Sequence, residues 1–172
     1  MFSHFQTEDY IKHSGLDFTI LRNTMYADAL GQILGSNGDI EFINLPAGEG
    51  KVPYVLRREL GEATANLLVQ NGHENKIYSF LGSYLVDFKN IAKLLTQSLN
   101  REIVYQDITE DEYKSFLQSL NFPDFAIYLY AGTINDIKTD QYDLIDDALE
   151  KLLGRPTASP EEFIREVFNF QP

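Results

Sequence analysis

The start of the sequence contains a histidine and a carboxylate with the spacing of an acid–base pair. His4 and Glu8 are four positions apart, so both side chains lie on one face if this segment is helical. An imidazole beside a carboxylate can serve as a general acid. A surface pair on a solvated helix is the alternative, and the spacing alone favours it by roughly three to one.

A second group of candidate residues follows a predicted strand. Residues 18–21 (FTIL) form a short apolar run, which predicts a strand buried on both faces of a parallel sheet. Asn23, Thr24, Met25 and Tyr26 come just after this run. Because α/β proteins place ligands at the carboxyl ends of their strands, these four residues are the best-placed candidates for ligand binding.

Two other patterns resemble binding sites only superficially. An acidic run suggests a hard cation but lacks the residue order of an EF-hand, and a solvated face is several-fold likelier; it comprises Asp136, Asp140, Asp143, Asp146 and Asp147. The GEGK segment at 48–51 lacks P-loop spacing, and the eleven glycines nowhere form G-x-G-x-x-G. We therefore predict no metal site and no phosphate-binding loop within these residues.

The composition limits the class of protein. Fourteen Lys and Arg against 26 Asp and Glu give a net charge of −12, and 44% of the residues are hydrophobic. This indicates a folded acidic domain that binds neither nucleic acid nor an anionic membrane surface. The sequence has no Cys, no signal-peptide pattern and no apolar run of membrane-spanning length. We expect a single domain over 1–172, located in the cytoplasm.

The elements that would position the candidates alternate between strands and helices. Apolar runs predict strands at 18–21, 40–44, 76–81 and 103–106, with a brief extended segment at 52–56 and turns at 35–38 and 46–50. Helical periodicity and capping signals predict helices at 2–14, 25–34, 58–70, 87–99, 109–120, 124–134, 144–153 and 159–168. The predicted fold class is α/β.

Several segments, in order along the chain, resemble the NmrA-like branch of the atypical short-chain dehydrogenase/reductases, most closely the bacterial NAD(P)H:quinone oxidoreductase type 2 group. HFQTE at 4–8 is similar to that group's H-x-x-T-E, and TILRNTMY at 19–26 resembles the following strand and its L-R-N-x-x-Y loop. GEGK (48–51), GHENKIY (72–78), NFPD (121–124) and LLGRPT (152–157) also resemble family segments. Each motif is weak alone, and their collinearity carries the resemblance.

The resemblance implies the C-terminal portion of an NAD(P)-binding Rossmann-like fold with its small helical substrate-binding part. The family's N-terminal half, with its glycine-rich loop, has no counterpart here, so the expected protein is a truncated or split oxidoreductase. Arg58-Glu59-Leu60-Gly61 replaces the family's R-x-D, which conserves the charge. Thr24-Met25 replaces the commoner Gly-Trp, which changes the pocket wall.

The resemblance also implies roles for individual residues. His4 and Tyr26 would be catalytic, Asn23 and Thr24 would contact the cofactor, and Met25 and Tyr26 would contact the substrate. The family reaction is hydride transfer from NAD(P)H to a quinone-like acceptor. The alternative is a non-catalytic NmrA-like binding or regulatory module, and the sequence leaves open whether this chain is an enzyme.

Three structural and biochemical expectations follow. Strands 18–21 and 76–81 should be neighbours covered by helices, with His4 and Tyr26 facing one cleft. The first strand should be an exposed edge, which predicts a homodimer or a complex with a separate N-terminal half. NAD(P)H binding by this chain alone should be weak or absent, because backbone groups for the pyrophosphate are lacking.

Overall fold

A computed structural model of the chain describes residues 2–34 and 40–168. Its strands are β1 (Thr19–Asn23), β2 (Phe42–Asn44), β3 (Lys76–Phe80) and β4 (Val104–Gln106). Its α-helices are α1 (Phe2–Lys12), α2 (Leu30–Leu34), α3 (Arg57–Leu68), α4 (Phe88–Leu99), α5 (Glu110–Ser119), α6 (Asp124–Lys138), α7 (Ala148–Leu153) and α8 (Pro160–Val167). A short 3₁₀ turn, Ala27–Ala29, precedes α2. The predicted turn at 35–38 lies outside the described residues.

The strands form two parallel pairs. β1 pairs with β3 in a register that places Leu21 opposite Tyr78, and β2 pairs with β4. The prediction that 18–21 and 76–81 are neighbouring strands is confirmed. In the described part of the chain β1 has β3 as its only strand partner, so its other edge carries no strand.

Polar contacts fix both ends of the β1–β3 pair. At the carboxyl end the Thr24 amide donates to the Phe80 carbonyl at 3.1 Å. At the amino end the Thr19 hydroxyl donates to the His73 carbonyl at 2.7 Å. These bonds hold the loop after β1 in a fixed position relative to the sheet.

The main hydrophobic core lies on the β2–β4 side of the molecule. It packs the apolar faces of α4, α6 and α8 against β2 and the segment that precedes α3. Phe88 and Phe163 are fully buried within it, and the rings of Tyr54 and Phe163 are 6.0 Å apart. A smaller cluster under β3 joins α3 to α7.

A buried carboxylate ties α3 to the segment before α8. Glu59 is 1% exposed and accepts hydrogen bonds from the Arg155 guanidinium and the Ala158 amide, both at 2.8 Å. Arg155 also contacts Glu62 at 2.7 Å. Glu59, within the segment 58–61 noted above, is therefore a structural tether.

The helix boundaries predicted from capping residues are confirmed. Thr109 and Ser159 each form a complete capping box, with Glu112 and Glu162 respectively. Asp87 accepts from the amide of Asn90 to cap α4. These motifs need only four neighbouring residues, so the sequence alone specifies them.

The predicted helix at 25–34 is wrong in its first half. The Val55 amide donates to the Met25 carbonyl, and the Ala27 amide donates to the Val55 carbonyl at 2.8 Å. These bonds hold Tyr26 in an extended bridge, so the chain turns only at Ala27. The partner segment at 52–56 forms isolated bridges instead of a regular strand.

The predicted helix at 144–153 is also too long. Its first four positions are not helical, and α7 begins at Ala148. The Asp146 carboxylate accepts from the Ala148 amide at 2.8 Å, a local bond that competes with an earlier helix start.

In the described residues, no helix has the length and apolar character needed to cross a membrane.

Candidate functional site

A large cleft lies alongside β1, and its volume is about 1090 Å³. Its walls come from α1, from β1 and the loop that follows it, and from α5, α6 and the segment after α6. His4, Asn23 and Tyr26 all line it. The structure therefore brings together three of the predicted site residues, and it places His4 and Tyr26 in one cleft, as expected.

The α1 wall is fixed to β1 by an ionic cluster around Glu8. The Arg22 guanidinium donates two hydrogen bonds to its carboxylate, at 2.8 and 2.6 Å, and Lys12 adds a third at 3.3 Å. The Arg22 hydrogen bond is the main reason that the pKa of Glu8 falls to about 2, although burial opposes the shift and Lys12 assists it. The same guanidinium lies 6.0 Å from the centre of the Phe5 ring.

This cluster shows that Glu8 does not pair with His4, although both residues lie on α1 as their spacing predicts. The Glu8 carboxylate accepts hydrogen bonds from Arg22 and Lys12. It therefore fixes α1 against β1 and does not orient the imidazole of His4. His4 is exposed one turn earlier on the same helix and lines the cleft. Its imidazole is therefore available to a ligand in that cleft.

Tyr26 is held firmly at the opposite wall. Its backbone bridges to Val55, and the Arg57 guanidinium lies 4.9 Å from the centre of its ring. The backbone amide of Arg57 in turn donates to the Asp28 carboxylate at 2.8 Å. A half-buried tyrosine fixed in this way can present its hydroxyl at a constant position.

The other predicted residues of this loop differ in their placement. Asn23 is exposed and lines the cleft. Thr24 is buried, and Met25 packs against the main core; neither is among the residues that line the cleft. Their assignment to cofactor and substrate stays a prediction.

The wall formed by α6 was not predicted from the sequence. Tyr128 and Leu129 line the cleft although their side chains are 82% and 61% exposed, and Asp136 and Tyr142 line it further along. The signal that could have revealed this wall is the pair of large apolar residues that lie off the buried stripe of α6. Asp136 belongs to the acidic run interpreted above as a solvated face, and the described residues contain no group of three or more side chains suited to a metal.

A nicotinamide cofactor fits part of this arrangement. The hydroxyl of Thr24 is buried at the carboxyl end of β1 and has no hydrogen-bond partner among the described residues, and the amide of Asn23 opens to the cleft. Because Thr24 does not line the cleft, its hydroxyl is not placed to contact a ligand there, and Asn23 is the residue of this pair that can contact a nicotinamide ring. The pyrophosphate is not matched, because these 172 residues contain no G-x-G-x-x-G.

Comparison with known proteins identifies relatives of the whole segment. The chain is 29% identical over 171 residues to quinone oxidoreductase 2 of Escherichia coli, covering 96% of this chain and 58% of that protein. It is 23% identical to the NAD(P)H azoreductase of Xenophilus azovorans, covering 93% of this chain and 56% of the relative. The chain thus spans between half and two thirds of these relatives' length. No protein-family model matches it.

Solved structures give the same relationship. The triphenylmethane reductase of Citrobacter sp. superposes with a TM-score of 0.88 at 28% identity, over 96% of this chain and 58% of the reductase. The NADPH-dependent quinone oxidoreductase of Escherichia coli superposes with a TM-score of 0.85 at 27% identity, over 97% of this chain and 61% of the other. The homologues and structural neighbours of this α/β chain are thus members of the NmrA-like and quinone oxidoreductase family, and it corresponds to about the C-terminal 58% of their fold.

Proposed function

We propose that this chain forms the substrate-binding portion of a cytoplasmic NAD(P)H-dependent oxidoreductase whose acceptor is quinone-like. The observation that carries the proposal is the cleft that brings His4, Asn23 and Tyr26 together from α1 and from the end of β1. The named activities of the relatives, which reduce quinones, azo compounds or triphenylmethane dyes, support it. The volume of the cleft, about 1090 Å³, is ample for an aromatic acceptor beside a nicotinamide ring.

Different residues around the cleft would stack against the acceptor, hydrogen-bond to it and orient the cofactor ring. Phe5 and Tyr128 offer ring faces and edges on opposing helices, against which a planar acceptor can stack. His4 and Tyr26 offer hydrogen-bond donors to an oxygen that gains charge as the acceptor is reduced. Asn23 lies at the carboxyl end of β1, where its amide can orient the ring of the bound cofactor.

A bound nicotinamide would supply the hydride, while this chain's own residues supply orientation and proton donors. The phosphates of the cofactor need backbone amides at a glycine-rich helix start, and these residues provide none in sequence. The loss of two or three charge-assisted hydrogen bonds costs about 3 to 9 kcal/mol, or roughly two to six orders of magnitude in affinity. We therefore expect the chain alone to bind NADPH no better than at millimolar concentration.

The test compares the chain alone with the chain supplemented by a separately produced N-terminal segment of a relative that carries the glycine loop. NADPH oxidation is followed with menadione as the soluble quinone. We expect no measurable rate from the chain alone and a rate that appears on supplementation. Micromolar, saturable NADPH binding by the chain alone would overturn the account of the missing phosphate site.

Two pairs of variants test the residue assignments in the supplemented sample. His4→Ala and Tyr26→Phe should each lower kcat about tenfold to a hundredfold by removing a proton donor. His13→Ala and Tyr10→Phe are the matched controls, because both residues lie on or just after α1, are exposed and are absent from the cleft walls. Equal losses in a test variant and its control would contradict the assigned role.

We also propose that the chain associates with a partner through β1 and the surface beside it. The second edge of β1 carries no strand among the described residues, and Phe5 and Tyr10 on α1 are 56% and 78% exposed. Unpaired edges and exposed apolar side chains favour association, and the partner is either a second copy or an N-terminal half. A stable monomer in light scattering at high concentration would contradict the homodimer.

The second candidate function is a non-catalytic binding or regulatory module. It is favoured by the absence of a glycine-loop pattern from these residues. Under this alternative an aromatic ligand occupies the cleft, but the supplemented sample oxidises no NADPH. The rate of NADPH oxidation therefore separates the two functions.

A further inference from the structure

The positive and negative charges of the side chains that line the cleft do not sum to zero. Glu8 is paired with Arg22, and Glu110 is paired with Lys114 through an ion pair of 2.5 Å. Asp136 also lines the cleft, and no hydrogen bond or ion pair within residues 2–34 and 40–168 occupies its carboxylate. The cleft therefore carries one uncompensated negative charge on the α6 wall.

Aromatic rings line the same cleft as this carboxylate, and one of them lies near it. Asp136 is half-buried on α6, and Tyr142 lines the same end of the cleft just beyond that helix. Burial is the main reason that the pKa of the Tyr142 phenol is raised, and the nearby Asp136 charge adds to the shift. Tyr128, which precedes Asp136 on α6, and Phe5 on α1 provide further rings on the walls of the same cleft.

A carboxylate among aromatic rings favours one kind of ligand. The faces of phenol and phenyl rings attract cations, and an unpaired carboxylate adds a direct Coulomb attraction. An anionic ring system meets repulsion from the same carboxylate and from the chain's net charge of −12. A neutral ring system of the same shape gains only the stacking contacts.

We propose that Asp136 makes this cleft selective for planar aromatic ligands that carry a positive charge over neutral or anionic ligands of the same shape. This deepens the proposed function, since it rests on the same cleft being the acceptor site, and it adds that positively charged ring systems bind there more tightly than neutral, quinone-like ones. Asp136 is then a residue that determines specificity, and it takes no part in hydride or proton transfer.

The test uses three fluorescent probes of nearly identical shape: N-methylacridinium, acridine and acridine-9-carboxylate, titrated into the full chain at mildly alkaline pH. We expect the cation to bind about three- to tenfold more tightly than acridine, and the anion to bind more weakly than acridine. Asp136→Asn should remove most of the preference for the cation and change acridine affinity less than twofold. Raising the salt concentration should weaken cation binding to the native chain more than to this variant.

Two further variants locate the effect. Asp140→Asn removes one charge close to Asp136 in sequence but outside the cleft walls, so it should leave the cation preference in place. Gly132→Leu places a side chain into the cleft from α6, where a new Cβ meets no atom within 4 Å, so it should weaken binding of all three probes to a similar extent. Asp140→Asn and Asp136→Asn acting equally would overturn the proposal by making net charge the cause.

The remaining outcomes also decide the matter. Equal affinity for the three probes overturns the selectivity while leaving the cleft as the binding site. Absence of binding by every probe overturns the proposal as well, because the cleft then accepts no aromatic ring. The oxidoreductase function is judged separately by NADPH oxidation with menadione, a neutral acceptor, so its failure is distinguishable from the failure of the selectivity.

Discussion

The two sides of the molecule treat their aromatic residues in opposite ways. On the β2–β4 side, Phe88 and Phe163 are fully buried in the main core. On the β1 side, Phe5 and Tyr128 stand on the walls of the cleft with 56% and 82% of their surface exposed. Burying such a side chain stabilises a fold, whereas leaving it in water gains nothing for stability.

This difference separates the part of the chain that maintains the fold from the part that is available to ligands or partners. A contiguous apolar surface beside polar groups is typical of interaction sites. The exposed aromatic residues of the cleft walls therefore should tolerate substitution without loss of stability, and the buried aromatic residues of the core should not.

The largest effect is expected from truncating a core ring. Phe163→Ala should lower the free energy of unfolding by about 3 to 5 kcal/mol, because it leaves a cavity against Tyr54 in the main core. Tyr128→Ala on the cleft wall should change it by less than about 0.5 kcal/mol. Urea unfolding followed by circular dichroism measures both.

Phe163→Leu guards against a variant too unstable to measure, since it should cost only about 1 to 2 kcal/mol. Equal destabilisation by Phe163→Ala and Tyr128→Ala would show that the α6 wall is part of the stabilising core, and the separation would fail.

The next largest effect concerns the buried ion pair on the core side. Arg155→Ala should cost about 1 to 3 kcal/mol, because it leaves the buried Glu59 carboxylate with the Ala158 amide as its remaining donor. The cost falls below that of a fully buried pair because the Arg155 side chain is 40% exposed. Arg58→Ala, which breaks an exposed pair with Glu166, should cost about 0 to 1 kcal/mol.

Thermal unfolding of the two arginine variants under one buffer condition makes the comparison direct. If Arg155→Ala cost no more than Arg58→Ala, the Glu59 carboxylate would be reached by water, and its role as a tether between α3 and the segment before α8 would be wrong.

How much of this structure could be predicted from the sequence depends on how local each signal is. The Thr109 and Ser159 capping boxes involve residues three apart, and both were predicted correctly. The extended bridge at Tyr26 depends on hydrogen bonds with Val55, almost thirty residues away, so a helix at 25–34 was predicted instead. Tertiary hydrogen bonds outweighed the local helical pattern there.

The candidate site follows the same rule. The spacing of His4 and Glu8 correctly placed them on one helix but indicated the wrong partner, since Arg22 reaches Glu8 from β1. The expectation that His4 and Tyr26 face one cleft came from the family resemblance and not from the periodicity of the sequence. The α6 wall with Asp136 is not predicted, because the apolar residues off the buried stripe of α6 indicate an exposed apolar surface but not that this surface faces β1.

A smaller effect, confined to acid, is expected on the cleft side. The pKa of Glu8 lies at about 2 instead of its ordinary 4.5, mainly because Arg22 hydrogen-bonds the carboxylate. A lowered pKa in the folded state stabilises the protein above pH 4.5, and this contribution is lost as the pH falls from 4.5 to about 2.

Glu8→Gln should therefore unfold more easily than the native chain at neutral pH, and the difference should shrink through that acid window. Urea midpoints at a series of pH values measure it, with Glu74→Gln, an exposed carboxylate in the loop before β3, as the control. A difference that stays constant with pH would show that the ionised Glu8 carboxylate does not fasten α1 to β1.

The smallest effect comes from two glycines inside helices, of which one lines the cleft and the other does not. Gly61 in α3 and Gly132 in α6 are exposed, and a Cβ built on either one meets no atom within 4 Å. Replacing each by Ala should raise the free energy of unfolding by about 0.5 to 1 kcal/mol, because alanine loses less conformational entropy in a helix. The two variants should therefore be equal in urea unfolding. They should differ in acridine binding, which only Gly132→Ala should weaken, because Gly132 lines the cleft and Gly61 does not. A weaker binding in Gly61→Ala would place the aromatic site elsewhere, and a loss of stability in Gly132→Ala would show that another segment covers α6 at that point.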